Sequence, residues 1–169
     1  MASAVRFLQL LAVTASLSGA VLGQSVSQSS SSNTETRRLE DLVAKQREAI
    51  AEGNSSGVVA SSRALIEIAL DELVKVHSAL KQVQRSSTAA DRLASREREL
   101  RKILGSAFDD WGTAEARQRR YQEALAHFQD AEKWNPSAPG LMKNLGMAAF
   151  RLEEYNESVR ALSEAVAAN

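Results

Sequence analysis

Two stretches of this chain repeat each other at a spacing of 34 residues, and that period constrains the fold more than any single residue does. Setting Phe108–Asn135 above Met142–Asn169 brings Gly112 over Gly146, Tyr121 over Tyr155, Ala124 over Ser158, Phe128 over Leu162 and Ala131 over Ala165. A fixed period of this length predicts stacked units that bury their apolar faces against one another, because one unit is too small to do so alone. Stacking of that kind leaves a continuous exposed surface along one side, of the sort used to bind proteins.

The units should be helical. The body is rich in Ala, Leu, Glu, Arg and Gln, all good helix formers, while Gly and Pro are scarce. The 21 basic and 21 acidic residues balance, so no strong overall field steers the chain to nucleic acid or to a membrane. Cysteine is absent, which excludes disulfides, thiolate metal sites, a cysteine nucleophile and the attachment point of a bacterial lipoprotein lipid.

Residues 1–23 read as an export signal: Arg6 and the amino terminus are positive, Phe7 to Leu17 is largely apolar, and Val21 and Gly23 flank a cleavage point before Gln24. The apolar run is too short and too diluted by Thr14, Ser16 and Ser18 to span a bilayer. Removal of the leader takes Arg6 with it and leaves 20 basic against 21 acidic residues, a formal charge of −1. The expected product is exported, periplasmic or secreted from a bacterial cell, with no stable membrane span. Residues 24–35 are dominated by Ser, Gln, Asn and Thr, a composition with nothing to bury, and are expected to form a flexible linker.

Apolar residues then return at helical spacing. Leu39, Leu42, Val43, Ala49 and Ile50 predict a first helix over about 36–52, stopped by the turn chemistry of Gly53-Asn54-Ser55-Ser56-Gly57. Val58, Leu65, Ala69, Leu73, Val76 and Leu80 continue as a second, longer helix, antiparallel to the first. Thr88 with Asp91 resembles a capping box opening a third helix that runs on through Leu100, Leu104 and Phe108. Residues 36–104 are thus an irregular helical hairpin plus the start of a third helix. Between Lys81 and Leu104 seven basic residues meet three acidic ones. That stretch is read as a solvated helix face, with Glu97 and Arg101 paired one turn apart and no aromatic side chains interleaved to stack bases.

From Phe108 the residues resemble the tetratricopeptide repeat, whose pattern is W-x2-L-G-x2-Y, then A-x3-F, then P. Here it is met as Phe108-x2-Trp111-Gly112, Ala124-x3-Phe128 and Pro136, and again as Met142-x2-Leu145-Gly146 and Ser158-x3-Leu162. Glu115 and Ala149 replace the motif tyrosine. The resemblance implies an all-α, right-handed α-solenoid of antiparallel helix pairs with three hairpins, the two repeats occupying 105–138 and 139–169. It also implies that Gly112 and Gly146 admit the facing helix closely, with Ala124, Ala131 and Ala165 as its small residues. Pro139 is expected in the first turn of the following helix.

In this family the first helix of each repeat lines a concave groove. The resemblance therefore makes Asp109, Asp110, Thr113, Arg117, Lys143, Asn144, Met147, Phe150 and Arg151 the candidate groove residues. Some family members clamp a partner's terminal carboxylate with Lys and Asn on successive helices. Asp109 and Met147 stand where that clamp needs Lys and Asn, which argues against such a ligand. Met147 and Phe150 fit a groove for an apolar segment, although Phe150 would equally serve by packing on the next helix.

No catalytic pattern is present. Neither His77 nor His127 has a second His at the i, i+4 spacing of helical metal sites, and neither a G-x-S-x-G elbow nor a phosphate loop occurs. Asp109-Asp110 and Glu153-Glu154 are sequence neighbours that should point to different helix faces. No cofactor or metal is expected. Val159, Leu162 and Val166 leave an apolar edge on the last helix, which a further repeat, a partner or a second copy would cover. The expected role is a non-enzymatic scaffold or adaptor for a protein or peptide. The alternatives are a helical accessory domain of a larger exported enzyme and a self-associating structural subunit.

Overall fold

The computed structural model describes residues 25–84 and 87–168, with side chains from Thr34 onward. The expected export signal over residues 1–23 lies outside the described residues. The chain divides into two units, Met1–Asn33 and Thr34–Asn169, and all packing described below lies within the second. Among the described residues are six helices and no strand: α1 (Ser25–Ala51), α2 (Ser55–Leu80), α3 (Thr88–Arg117), α4 (Tyr121–Trp134), α5 (Leu141–Arg151) and α6 (Tyr155–Ala167). None is long and apolar enough to cross a membrane.

Helix α1 starts at Ser25, so helical backbone runs through most of the segment 24–35 expected to be a linker. Once a helix is nucleated, each added residue gains a hydrogen bond, and extension from the apolar stripe that starts at Leu39 tolerates a polar composition. At its other end α1 folds back on α2. Gln46 donates from Nε2 to Ser62 Oγ at 2.7 Å, both side chains buried, and Lys75 pairs with Glu35 at 2.7 Å near the far end. The near-constant sum of these residue numbers is that of an antiparallel pair. On α2 the buried residues Val58, Ser62, Leu65, Ala69, Leu73 and Val76 recur every three or four positions, which places them on one face.

Helix α3 opens one residue earlier in its capping than the sequence pattern implied. Ser87 is the N-cap and its Oγ accepts from the Ala90 amide at 3.2 Å, leaving Thr88 as the first helical residue. It packs antiparallel on α2, with His77 Nε2 2.9 Å from Glu97 and Arg63 5.4 Å from the Trp111 ring. One core cluster joins Leu39, Leu65, Ala69, Leu73 and Val76 to Leu100, Leu104 and Ala107. A second joins Ala124, Leu125, Phe128 and Ala131 to Leu141, Leu145, Ala148, Ala149 and Ala161, with Phe108 of α3 against it. Arg160 ties α6 to α4 through Glu132, at 2.9 Å.

The turns inside the helix pairs match closely. Arg119 and Glu153, 34 residues apart, both have φ 62, a left-handed conformation uncommon for residues with a Cβ. Arg120 and Glu154 follow with φ, ψ of −84, 68 and −80, 65. Their amides bond to Glu115 and Ala149 carbonyls at 3.0 and 2.9 Å. The turn between α1 and α2 has the same form: Gly53 has φ 68, Asn54 has φ −78 and ψ 84, and the Asn54 amide bonds to Ala49 at 2.8 Å. The first hairpin, irregular by sequence, therefore turns like the other two. The longer α2 and α3 stretch its spacing from the next turn. Pro139 precedes α5 rather than sitting in its first turn. Gly140, with φ 83, forms the N-cap instead.

Gly112 and Gly146 have corresponding surroundings. A Cβ on Gly112 would lie 2.7 Å from Phe128 Cε1 and 3.1 Å from the Ala124 carbonyl oxygen. One on Gly146 would lie 2.7 Å from Leu162 Cγ and 3.2 Å from the Leu162 amide nitrogen. Phe128 and Leu162 are themselves one period apart, so the same close approach joins α3 to α4 and α5 to α6.

Candidate binding groove on helices α3 and α5

The nine candidate groove residues divide between the last three turns of α3 and the whole of α5. Asp109 on α3 accepts from Asn144 Nδ2 on α5 at 3.1 Å, which joins the first helices of successive pairs. Arg151 reaches back to α4, its guanidinium carbon 6.0 Å from the Tyr121 ring centroid. Met147 and Phe150 are 49% and 56% exposed, large apolar side chains left facing water. Phe150 does meet the next helix, edge to face with Tyr155 at 6.2 Å, yet this contact leaves most of it uncovered. Arg117 and Lys143 are exposed and Thr113 is half-buried.

The two aspartates are closer in effect than their positions on the helix suggested. Asp109 is half-buried, and burial raises its carboxyl against the opposing bond from Asn144. Asp110 is pushed up to about 6, first by burial and then by the charge of Asp109, while Ser106 and Arg117 act the other way. They are electrostatically coupled rather than independent. A buried carboxyl whose pKa is raised on folding binds more protons in the native state than in the unfolded chain, where it titrates near about 4. Stability must then fall as pH rises through the window from about 4 to about 6. Urea unfolding across that window should show Asp110→Asn losing this decline, with its advantage over the natural chain largest at neutral pH. Parallel pH profiles for the two proteins would contradict the assignment.

On another side of α3, Trp111 stacks on His127 of α4 with centroids 4.1 Å apart, and Phe108 lies beyond at 6.2 Å. Burial lowers the His127 pKa, and its Nδ1 is buried without a hydrogen-bond partner among the described residues. Glu115 is buried and accepts from Trp111 Nε1 at 3.0 Å and from Arg120. Burial pushes its carboxyl up, but the bonds from Arg120 and Trp111 outweigh that and hold it below the usual range. Glu115 is thus a salt-bridged carboxylate that ties Trp111 to the hairpin turn. Sequence spacing did not show this. The signal available was a lone Glu at i+4 from Trp111, an ordinary helix-surface pattern.

Among the described residues no group of His, Asp and Glu could hold a metal ion. The last helix does carry an exposed apolar edge, with Val159 65% and Val166 77% exposed. No protein-family model matches the chain, and no curated protein matches it.

Proposed function

We propose that this chain is a non-enzymatic scaffold: a right-handed, tetratricopeptide-like α-solenoid of three helix hairpins whose concave face, along α3 and α5, takes a peptide or protein segment. The observation that supports the reading is the recurrence of one turn geometry at Gly53, Arg119 and Glu153, with the equivalent helix contacts at Gly112 and Gly146. Units that repeat their turns and close contacts add to one another by a near-constant rotation, and such stacks present extended concave surfaces. Exposed Met147 and Phe150 supply adaptable apolar contact on that face, and Asp110, Arg117 and Lys143 supply polar selectivity around them. The leader-like composition of residues 1–23 supports a periplasmic or secreted location in a bacterium.

The test compares recovery of proteins from a cell-envelope extract by the intact chain and by Met147→Glu/Phe150→Ala. Both positions are exposed, so the variant should keep its helix content. A groove partner is expected on the intact chain and depleted about tenfold or more on the variant, the loss typical of removing central apolar contacts. Equal recovery of every captured protein by both forms would remove the groove from the account.

A further inference from the structure

The basic stretch at the start of α3 acquires an aromatic neighbour invisible in the linear sequence. Trp134, the last residue of α4, lies half-buried beside α3 under the Arg101 guanidinium, whose carbon is 5.8 Å from the ring centroid. An open cleft of about 460 Å³ forms there, lined by Arg98, Arg101, Lys102 and Trp134 together with Ser95, Asn135 and the acidic Glu99. A second cleft shares Ser95 and Glu99 with the first and continues along α3 to Arg92.

The cations along this line differ in how far they are already neutralised. Arg96 bonds Glu99 at 2.8 Å and lies 3.7 Å from Glu72, and Arg101 bonds Glu97 at 3.1 Å. Arg98 donates to uncharged oxygens, the Ala94 carbonyl and the Ser95 hydroxyl. Arg92 and Lys102 have no ion-pair partner among the described residues. Helical geometry puts Arg92, Ser95, Arg98 and Lys102 within about 120° of the α3 circumference. They form one exposed stripe that ends at an indole and in which Arg92, Arg98 and Lys102 carry no ion pair, with Asp91 and the Arg96-bound Glu99 within the same arc.

We propose that this stripe binds an extended acidic peptide segment, with carboxylates on Arg98 and Lys102 and an apolar side chain against Trp134. Arg98 and Lys102 are one turn apart, about 6 Å along the axis. Alternate residues of an extended peptide, which share a face, are about 6.6 Å apart, so successive same-side carboxylates fall opposite the two cations. A nucleic acid strand fits less well. One ring is present where bases need a row of stacking surfaces, and Asp91 and Glu99 border the clefts, repelling a backbone charged at every unit. A peptide can set neutral residues opposite those two acids. The site uses residues separate from the α3–α5 groove and does not depend on the groove reading.

Fluorescence anisotropy with the full chain tests this, using three labelled probes: a short peptide alternating Glu with apolar residues, its Glu→Gln counterpart, and a single-stranded oligonucleotide. The Glu peptide should bind more tightly than the Gln peptide. Arg98→Glu/Lys102→Glu should weaken it about tenfold or more, while Arg47→Glu on α1 leaves it unchanged. All three positions are exposed, so circular dichroism should report intact helices throughout. Equal binding of the two peptides, or undiminished binding by the double variant, would overturn the proposal. So would tighter binding of the oligonucleotide that the double variant abolishes, which would make the stripe a nucleic-acid site.

Discussion

Phe128→Ala is expected to cost this protein about 3–5 kcal/mol in urea unfolding, a large fraction of the ~5–15 kcal/mol typical of a folded domain. The ring is 2% exposed and sits among Ala124, Leu125, Leu141, Leu145 and Ala149. Two of these neighbours are alanines, too short to fill the space the ring would leave, and the three leucines are themselves held in the core. The ring also rests against Gly112 of α3. Its removal would leave a cavity between the helix carrying Asp109 and the pair that follows. Collapse of the cavity would show as a loss near the lower end of the range. A loss under about 1 kcal/mol would mean that the ring is not packed as described, since buried Phe→Ala changes do not cost so little.

Much of this arrangement could be read from residues and spacing, and what could not has definite physical causes. The period placed Gly112 with Gly146 and Tyr121 with Tyr155, and α4 and α6 do begin at those tyrosines. The apolar stripes of α1, α2 and α3 located those helices to within a few residues, except at the start of α1. The shared turn at Gly53 could not be found by matching residues. Gly53, Arg119 and Glu153 have nothing in common chemically, and what recurs is a positive φ with a backbone hydrogen-bond pattern. The Ser-rich segment carries helical backbone from Ser25 although its composition offers nothing to bury, because helix extension depends on the turn next to it.

Contacts between distant residues were the least legible. Trp134 is more than thirty positions from the basic stretch it adjoins, and only the antiparallel packing of α4 on α3 brings them together. Asp109 and Asn144 were both singled out as groove residues, but their hydrogen bond depends on the offset between α3 and α5. The coupling of Asp109 to Asp110 was missed by treating neighbouring helix positions as facing apart. Two half-buried carboxylates on adjacent residues still share enough low-dielectric surroundings for one charge to reach the other.

Gly112→Val should be the next most damaging change. At an open helix position this substitution is favourable by roughly a few tenths of a kcal/mol, because glycine is the poorer helix former. Here the added Cβ would meet Phe128 Cε1 at 2.7 Å and the Ala124 backbone oxygen at 3.1 Å. The ring is enclosed and the carbonyl belongs to a helix, so neither can yield without parting α3 from α4. Overpacking of this kind costs about 1–3 kcal/mol, and the rigidity on both sides puts Gly112→Val near the top of that range. Gly146→Val should fail in the same direction by less, because the closest atoms are those of Leu162, which is half-buried and can turn aside.

Urea unfolding of Gly112→Val and Gly146→Val beside the natural chain is therefore the measurement that bears most directly on the equivalence of the two helix pairs. Both midpoints are expected to fall, that of Gly112→Val further. A midpoint unchanged or raised in either variant, as helix propensity alone would produce, would contradict the close approach at that glycine and with it the equivalence of the two helix pairs.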